Sequence, residues 1–347
     1  MAIPGYIQID HSLAGLKTFA NTLHPAEPVF ILTDSNTHTY CLPLIQELDS
    51  RLQQAVVIEI PAGEKTKNPE YLFYVLDQFL AHRASRKSTC INLGGGMVCD
   101  LGGFASSIFK RGISCVHVPT SLLAQLDASM GGKTGVDFKG FKNLLGTFYP
   151  PQKVFISHRF LSTLPEREKR NGLAEALKHA LIADKTYWDL LKTNPFAQTE
   201  LLIKKSIEIK GQFITVDPFE KNERKKLNAG HTIGHALESW KLDTETPILH
   251  GEAVAAGLCI EAFISHQLGY MHTQTLAEIT EIIFSFFPKI NMEGYSVAHL
   301  LGLMQQDKKN ESGKISLSLI REIGRASFDD YCDNQVMEDA LTYYAGL

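Results

Sequence analysis

Residues 89–100 read TCINLGGGMVCD, and the order of residue types in this stretch decides the fold class. Thr89–Leu93 is a short apolar run, the pattern of a buried strand. Gly94-Gly95-Gly96 follows without a spacer, and LGGFASSIFKRG (101–112) continues as a small-residue helix. A glycine turn between a strand and a helix presents bare backbone amides at the carboxyl end of the strand and at a helix N-terminus. A pyrophosphate can be held there. The run is not the GxGxxG fingerprint, so its context carries the nucleotide-binding reading.

Working outward, Pro28–Thr33 (PVFILT) and Val56–Ile60 (VVIEI) are two further strands, and a helix is expected over 69–82. Ser114–Val118 is a fourth strand, closed by Pro119-Thr120-Ser121, and Val154–Ile156 is the last of this part. Strands alternating with helices imply a parallel sheet covered on both faces. Asp34, at the end of the first strand, suits ribose hydroxyls or an ordinary turn, and both readings stay open. Residues 121–151, rich in Gly, Lys and Asp, read as a loop with turn signals at both ends. Lys133 follows a Gly-Gly pair, but the spacing does not fit the GxxxxGK[ST] phosphate loop.

After residue 156 helical patterns dominate. GLAEALKHALIA (172–183) sets Leu173, Leu177 and Leu181 against Glu175, Lys178 and His179 on the opposite face, and these polar groups read as half-buried. RKKLNAGHTIGHALE (224–238) reads as one helix. At about 100° per residue, Arg224, Asn228, His231 and His235 fall within roughly 60° of one another. Gly230 and Gly234 lie on a neighbouring face and imply tight packing there. A hairpin over 314–320 and 326–328 and a terminal amphipathic helix complete the expectation.

Catalytic zinc takes three N or O ligands and keeps an open position. Glu175, His231 and His250 supply such a set from three segments. His231 and His235 on one helix offer another, so His235 and His250 compete for the third place. Lys133, Lys142, Lys178, Lys210 and Arg224 surround this set in the reading, and such a density of cations points to a small polyanionic substrate.

A length of 347 residues exceeds one ordinary core, so two domains are expected: 1–160, Rossmann-like, and 161–347, mainly α-helical. The net charge of −4 gives no electrostatic footprint for nucleic acid or an anionic membrane. No stretch of eighteen apolar residues occurs, and MAIPGYIQID lacks the basic start of a signal peptide. A cytoplasmic protein is expected. The six cysteines form no CxxC pair and read as reduced thiols.

Together the blocks GEKTK (63–67), GGGMVCDLGGF (94–104), FKRG (109–112), VPTSLL (118–123), QLDASMGGKTGVDFKGFKNLLGTFYPP (125–151), LSTLPERE (161–168), GLAEALKHALI, RKKLNAGHTIGHALE, LHGEAVAAG (249–257) and DKKN (307–310) resemble the 3-dehydroquinate synthase family. The resemblance runs over most of residues 30–320. It implies a Rossmann-like domain and an α-helical domain with the active site between them. The implied reaction converts 3-deoxy-D-arabino-heptulosonate 7-phosphate into 3-dehydroquinate and phosphate, using NAD catalytically and Zn2+ or Co2+. It implies Glu175, His231 and His250 as metal ligands, with His235 as a substrate or proton-relay group. The substrate residues implied are Asp127, Lys133, Asn143, Lys178, Lys210, Arg224, Asn228, His235 and Lys308 or Lys309. Arg111 is implied to reach the phosphate in the partner's site of a homodimer. The nucleotide residues implied are Asp34, Asn36, Glu64, Lys67, Gly94, Gly95, Asp100, Thr120, Ser121, Lys142, Thr163, Leu164 and Glu168.

Two positions depart from the family pattern. Ser121 stands where a second threonine is frequent, and Asp137 where asparagine is. Sister sugar phosphate cyclases are the near alternative. A metal- and NAD-dependent polyol dehydrogenase, or a catalytically inert nucleotide-binding regulator, are readings from other classes.

Overall fold

A computed structural model describes residues 3–242, 244–305 and 315–347. The chain divides into two compact units, one ending at Lys169 and the other spanning Arg170–Leu347.

The first unit is built on strands β1 (Ile7–Ile9), β2 (Val29–Asp34), β3 (Val56–Ile60), β4 (Thr89–Gly94), β5 (Ser114–Pro119) and β8 (Lys153–Ile156). They form a six-stranded sheet in the order β1-β8-β5-β4-β2-β3, with every neighbouring pair parallel. Helices α1 (Ala14–Ala20), α2 (Ser35–Tyr40), α3 (Leu42–Gln46), α4 (Ser50–Gln53), α5 (Pro69–Ala81) and α6 (Gly96–Ile108) connect the strands. Alternate residues of each strand feed two cores, as the two-residue period requires. Ile31, Ile91 and Val116 pack with Leu16 and Phe155. Phe30, Leu32 and Cys90 face the other way and pack with Phe79 and Leu101.

Two differences from the sequence reading stand out in this unit. Strand β1, only three residues long, carries too little pattern to be read. Residues 121–151 are not a loop: a π-helical turn at Ala124–Ala128 leads into an antiparallel hairpin of β6 (Lys133–Phe138) and β7 (Phe141–Phe148). Gly135 pairs with Gly146 in that hairpin, and glycines at a close backbone contact look like turn formers in sequence.

The second unit contains α8 (Lys185–Leu191), α9 (Thr199–Val216), α10 (His231–Lys241), α11 (His250–Gln267), α12 (Thr273–Phe286), α13 (Val297–Gln305) and α14 (Asn334–Gly346), with α7 (Glu166–Ala183) leading into it. Its only strands among the described residues are β9 (Ile320–Glu322) and β10 (Arg325–Ala326). The expected hairpin is therefore shorter and shifted; Lys314 lies outside the described residues. The helix read over Arg224–Glu238 is two pieces, a 3-10 turn at Glu223–Asn228 and α10. Gly230 breaks it, with φ at 76°, in the left-handed region that favours glycine. The tight packing expected of Gly230 and Gly234 is present. A Cβ on Gly230 would stand 2.8 Å from Val254 O, and one on Gly234 3.0 Å from Ala253 O.

Between β4 and β5 the apolar layer contains a polar network. Asn92 pairs in register with His117, and Cys90 with Cys115. The Asn92 amide nitrogen lies 3.2 Å from His117 Nδ1 and donates to Cys115 Sγ at 3.3 Å. Burial pushes His117 down to about 4, because a charged imidazole would lose its hydration. At pH 7 folded and unfolded chains both hold this ring neutral. As pH falls through about 6.5 towards about 4, the unfolded chain takes up a proton that the folded chain refuses. Stability therefore declines across that window, by up to about 3 kcal/mol. His117→Gln is expected to flatten the slope of urea-measured stability between pH 4.5 and 6.5. Parallel slopes for the two proteins would contradict this.

Candidate active site

In the first unit the residues expected to bind nucleotide gather around the carboxyl ends of the strands. The chain runs from β2 to β3 on one side and from β4 to β5 on the other, so the switch point lies between the adjacent β2 and β4, and such a point is where open parallel sheets hold ligands. Asp34 ends β2, and Gly94 ends β4. Gly95 is the N-cap of α6 in an extended conformation. A Cβ on Gly95 would sit 3.3 Å from Ser121 Oγ, so the turn after β4 packs on the segment after β5. The Thr120 N–H donates to Gly94 O at 3.0 Å and ties the same two segments. Asp34 Oδ1 accepts the Thr37 N–H at 2.8 Å in a capping box. Asn36 lies in the first turn of that helix. Thr163 and Leu164 follow β8 and its 3-10 turn, and Glu168 is on the first turn of α7.

Ion pairs join several of these segments. Lys67 is buried and donates to Asp100 Oδ2 at 2.6 Å and to Asn143 Oδ1 at 2.5 Å. Burial pulls the ammonium down, but Asp100 and Glu64 outweigh it and hold Lys67 above its ordinary value. Lys142 pairs with Glu64 at 3.4 Å. Asn143 has φ at 52°, and its N–H donates to Asp137 Oδ1 at 2.7 Å. The position at which the chain departs from the family's asparagine thus supports a residue expected to meet substrate. Lys133 opens β6 and is exposed, and Asp127 lies in the π-helical turn. Arg111 is apart from all of these. It is exposed in the turn after α6, just ahead of β5, and so at the amino ends of the strands, whereas Gly94 is at a carboxyl end.

In the second unit α7 is buried on more sides than its sequence suggests. Glu175, Lys178 and His179 are all within 1% of full burial, where half-burial was expected. Glu175 Oε2 accepts from Lys178 Nζ. Oε1 faces His231 Nε2 at 3.4 Å and His250 Nε2 at 3.7 Å. Two nitrogens and an oxygen at the usual zinc distances of about 2.0–2.1 Å would be separated by about 3.4 Å on a tetrahedral edge, so the donor set and its two nitrogen–oxygen spacings fit a divalent metal. Each imidazole is also held from behind. His231 Nδ1 lies 3.0 Å from Ala229 O, and His250 Nδ1 lies 3.3 Å from Glu238 Oε2. Such bonds favour a proton on Nδ1, so that in the neutral ring the Nε2 lone pair is the one open to a metal.

The two imidazoles differ electrostatically. Burial, then Lys178, hold His231 well below its ordinary value. Burial also pulls His250 down, but its bonds to Glu175 and Glu238 raise it to about 9. The His250 position therefore favours a positive charge. His235 completes a three-histidine group whose ligand atoms lie within 4.8 Å of one another. Lys210 on α9 and Arg224 are buried in the same unit. Arg224 Nη1 donates to Pro218 O at 2.6 Å, and Asn228 Nδ2 donates to Glu220 Oε1 at 2.8 Å. Sequence reasoning missed Glu220 and Glu238. Glu238 ends the quoted histidine stretch, but nothing in spacing reveals that it bonds a residue twelve positions away. Lys308 and Lys309 lie outside the described residues.

Family models match the chain in two adjoining pieces, 3-dehydroquinate synthase N-terminal over residues 57–171 and 3-dehydroquinate synthase C-terminal over 172–310. A 3-dehydroquinate synthase of Parabacteroides distasonis is 38% identical over 334 residues, covering 95% of this chain and 94% of that one. Among solved structures, a 2-epi-5-epi-valiolone synthase of Streptomyces hygroscopicus subsp. jinggangensis, with NAD+ and Zn2+ bound, is 25% identical with a TM-score of 0.87 and covers 100% and 98% of the two chains. A 2-deoxy-scyllo-inosose synthase complexed with carbaglucose-6-phosphate, NAD+ and Co2+ shares the fold, at 22% identity and a TM-score of 0.84, with 97% and 96% covered.

The Lys67 network has a measurable consequence for stability. Removing the ammonium takes one hydrogen-bond partner from Asp100 and one from the Asn143 side chain. Lys67→Met is expected to lower stability by about 2–3 kcal/mol in urea denaturation. That is less than the roughly 3–5 kcal/mol of a fully buried pair, because Asp100 keeps 20% of its side chain exposed. An unchanged midpoint and slope would mean that the network contributes nothing to the fold.

Proposed function

The chain belongs to the 3-dehydroquinate synthase family, and we propose that it converts 3-deoxy-D-arabino-heptulosonate 7-phosphate into 3-dehydroquinate and phosphate, as an NAD- and divalent-metal-dependent carbon–oxygen lyase. The observation that carries this reading is the convergence of His231 Nε2 and His250 Nε2 on Glu175 Oε1. When bound, NAD takes up and later returns a hydride, and the metal polarises the substrate oxygen whose charge changes.

The chain's own residues do the rest. Glu175, His231 and His250 hold the ion. The N-terminus of α6, with Gly94 and Gly95, holds the pyrophosphate. Lys178, Lys210 and Arg224 offset the charge of the substrate's carboxylate and of developing oxyanions. Burial strengthens these contacts, since a low dielectric screens them less than water does. Asn228 and Asn143 orient hydroxyls, and His235 moves a proton at a substrate oxygen. No nucleophilic side chain is required, because the carbon–carbon bond closes by attack of one part of the substrate on another and the protein's contribution is mainly orientation. Arg111, exposed and far from Gly94 in its own unit, suits a role on the phosphate in a partner's site. A cytoplasmic homodimer is the assembly we propose.

The test follows phosphate release from the heptulosonate phosphate with catalytic NAD and zinc, together with NADH absorbance. Phosphate release without net NADH is expected. Accumulation of NADH from a polyol would favour a dehydrogenase, and turnover of other sugar phosphates alone would favour a sister cyclase. A chelator should abolish activity and added zinc restore it. His250→Ala should lower kcat by roughly two orders of magnitude or more, as loss of Lewis-acid stabilisation worth several kcal/mol implies. Full activity in the chelated protein would remove the metal from the mechanism.

A further inference from the structure

Glu261 is completely buried on α11. One of its carboxylate oxygens accepts the Gly230 N–H at 2.6 Å. That N–H belongs to the same peptide unit as the Ala229 carbonyl, and this carbonyl lies 3.0 Å from His231 Nδ1. A peptide unit is planar, so fixing its N–H fixes its carbonyl. The groups form a line: carboxylate, peptide, imidazole. Polarisation runs the same way through both hydrogen bonds, and each strengthens the other.

The packing around this line is specific. Gly257 lies one turn before Glu261, and a Cβ there would stand 2.0 Å from Gly230 O. Val254, Gly257, Leu258 and Glu261 share one face of α11 at helical spacing. The first three receive the backbone at Gly230, and the fourth takes its N–H. The arrangement mirrors the other histidine. Glu238 on α10 bonds His250 at the start of α11, and Glu261 on α11 holds the peptide just before α10.

We propose that Glu261 is a positioning residue for His231. Acting through the Ala229–Gly230 peptide, it holds the imidazole with its proton on Nδ1 and with Nε2 aimed at the divalent metal. This inference rests on the proposed ligation of that metal by His231.

The test measures zinc affinity by competition with a chromophoric chelator, and the visible absorption band of the cobalt(II)-loaded protein. Both are measured for the unaltered chain, Glu261→Ala, Glu261→Gln, His231→Ala and Leu276→Ala. The last removes a core side chain of α12 and reports the effect of destabilisation alone. Glu261→Ala is expected to lower zinc affinity about 10–100-fold and to move the cobalt band. Glu261→Gln keeps an acceptor oxygen for Gly230 and should recover most of both. Leu276→Ala should leave both unchanged in the folded protein. If the alanine variant does not fold, Glu261→Asp, whose acceptor is withdrawn by one methylene, is read by the same criteria. A cobalt band that depends on His231 but ignores Glu261 overturns the inference, as does equal loss in Glu261→Ala and Leu276→Ala. A band indifferent to His231→Ala would instead overturn the ligand assignment beneath it.

Discussion

Close backbone contact between α10 and α11 is the constraint on which the histidine cluster depends. His231 opens one helix and His250 opens the other, so the distance between the imidazoles is set by how near the two backbones can come. Glycine at 230, 234 and 257 removes the side chains that would keep them apart. The cost is a helix interrupted at Gly230. Once the helices touch, carboxylates bridge from each to the segment carrying the other's histidine, and Glu175 arrives from α7 to meet both rings.

The first unit solves a different problem with the same economy. A fully parallel sheet has little polar chemistry of its own, since both faces are covered. Its function-bearing groups are therefore displaced to the connections beyond the strands' carboxyl ends. Glu64 and Lys67 follow β3, Asp100 stands on the helix after β4, and Lys142 and Asn143 stand on the hairpin after β5. The Lys67 ammonium draws the second and third of these connections together. It imposes a fixed arrangement on segments that the sheet alone would leave loosely placed.

Much of this was legible in the residues. Five of the six parallel strands announced themselves as short apolar runs, because strands buried on both faces read that way. The polar residues of the histidine stretch were recognisable, and so was the packing role of Gly230 and Gly234. Spacing could not reveal that Gly230 is left-handed, because that depends on α11 lying against it. The hairpin at 133–148 was hidden by glycines that serve close backbone approach rather than turns. Nor could periodicity reveal that His250 meets Glu175 and Glu238, since both carboxylates arrive from elsewhere in the chain. The burial of Lys178 was underestimated for a similar reason: its neighbour Glu175 accepts its charge, and a pair can be buried where a lone lysine cannot.

The polar network between β4 and β5 bears on how the sheet assembles. In strands apolar on both faces a slip of one residue brings no apolar side chain into water, so hydrophobic pattern alone carries little alignment information. Asn92 opposite His117 and Cys90 opposite Cys115 break that degeneracy. A slipped pairing would turn one strand's polar groups to the other face of the sheet and leave their donors and acceptors unsatisfied in a layer without water. These groups thus act as a checksum on strand alignment, rejecting mispaired chains that burial of Val, Ile and Leu would accept.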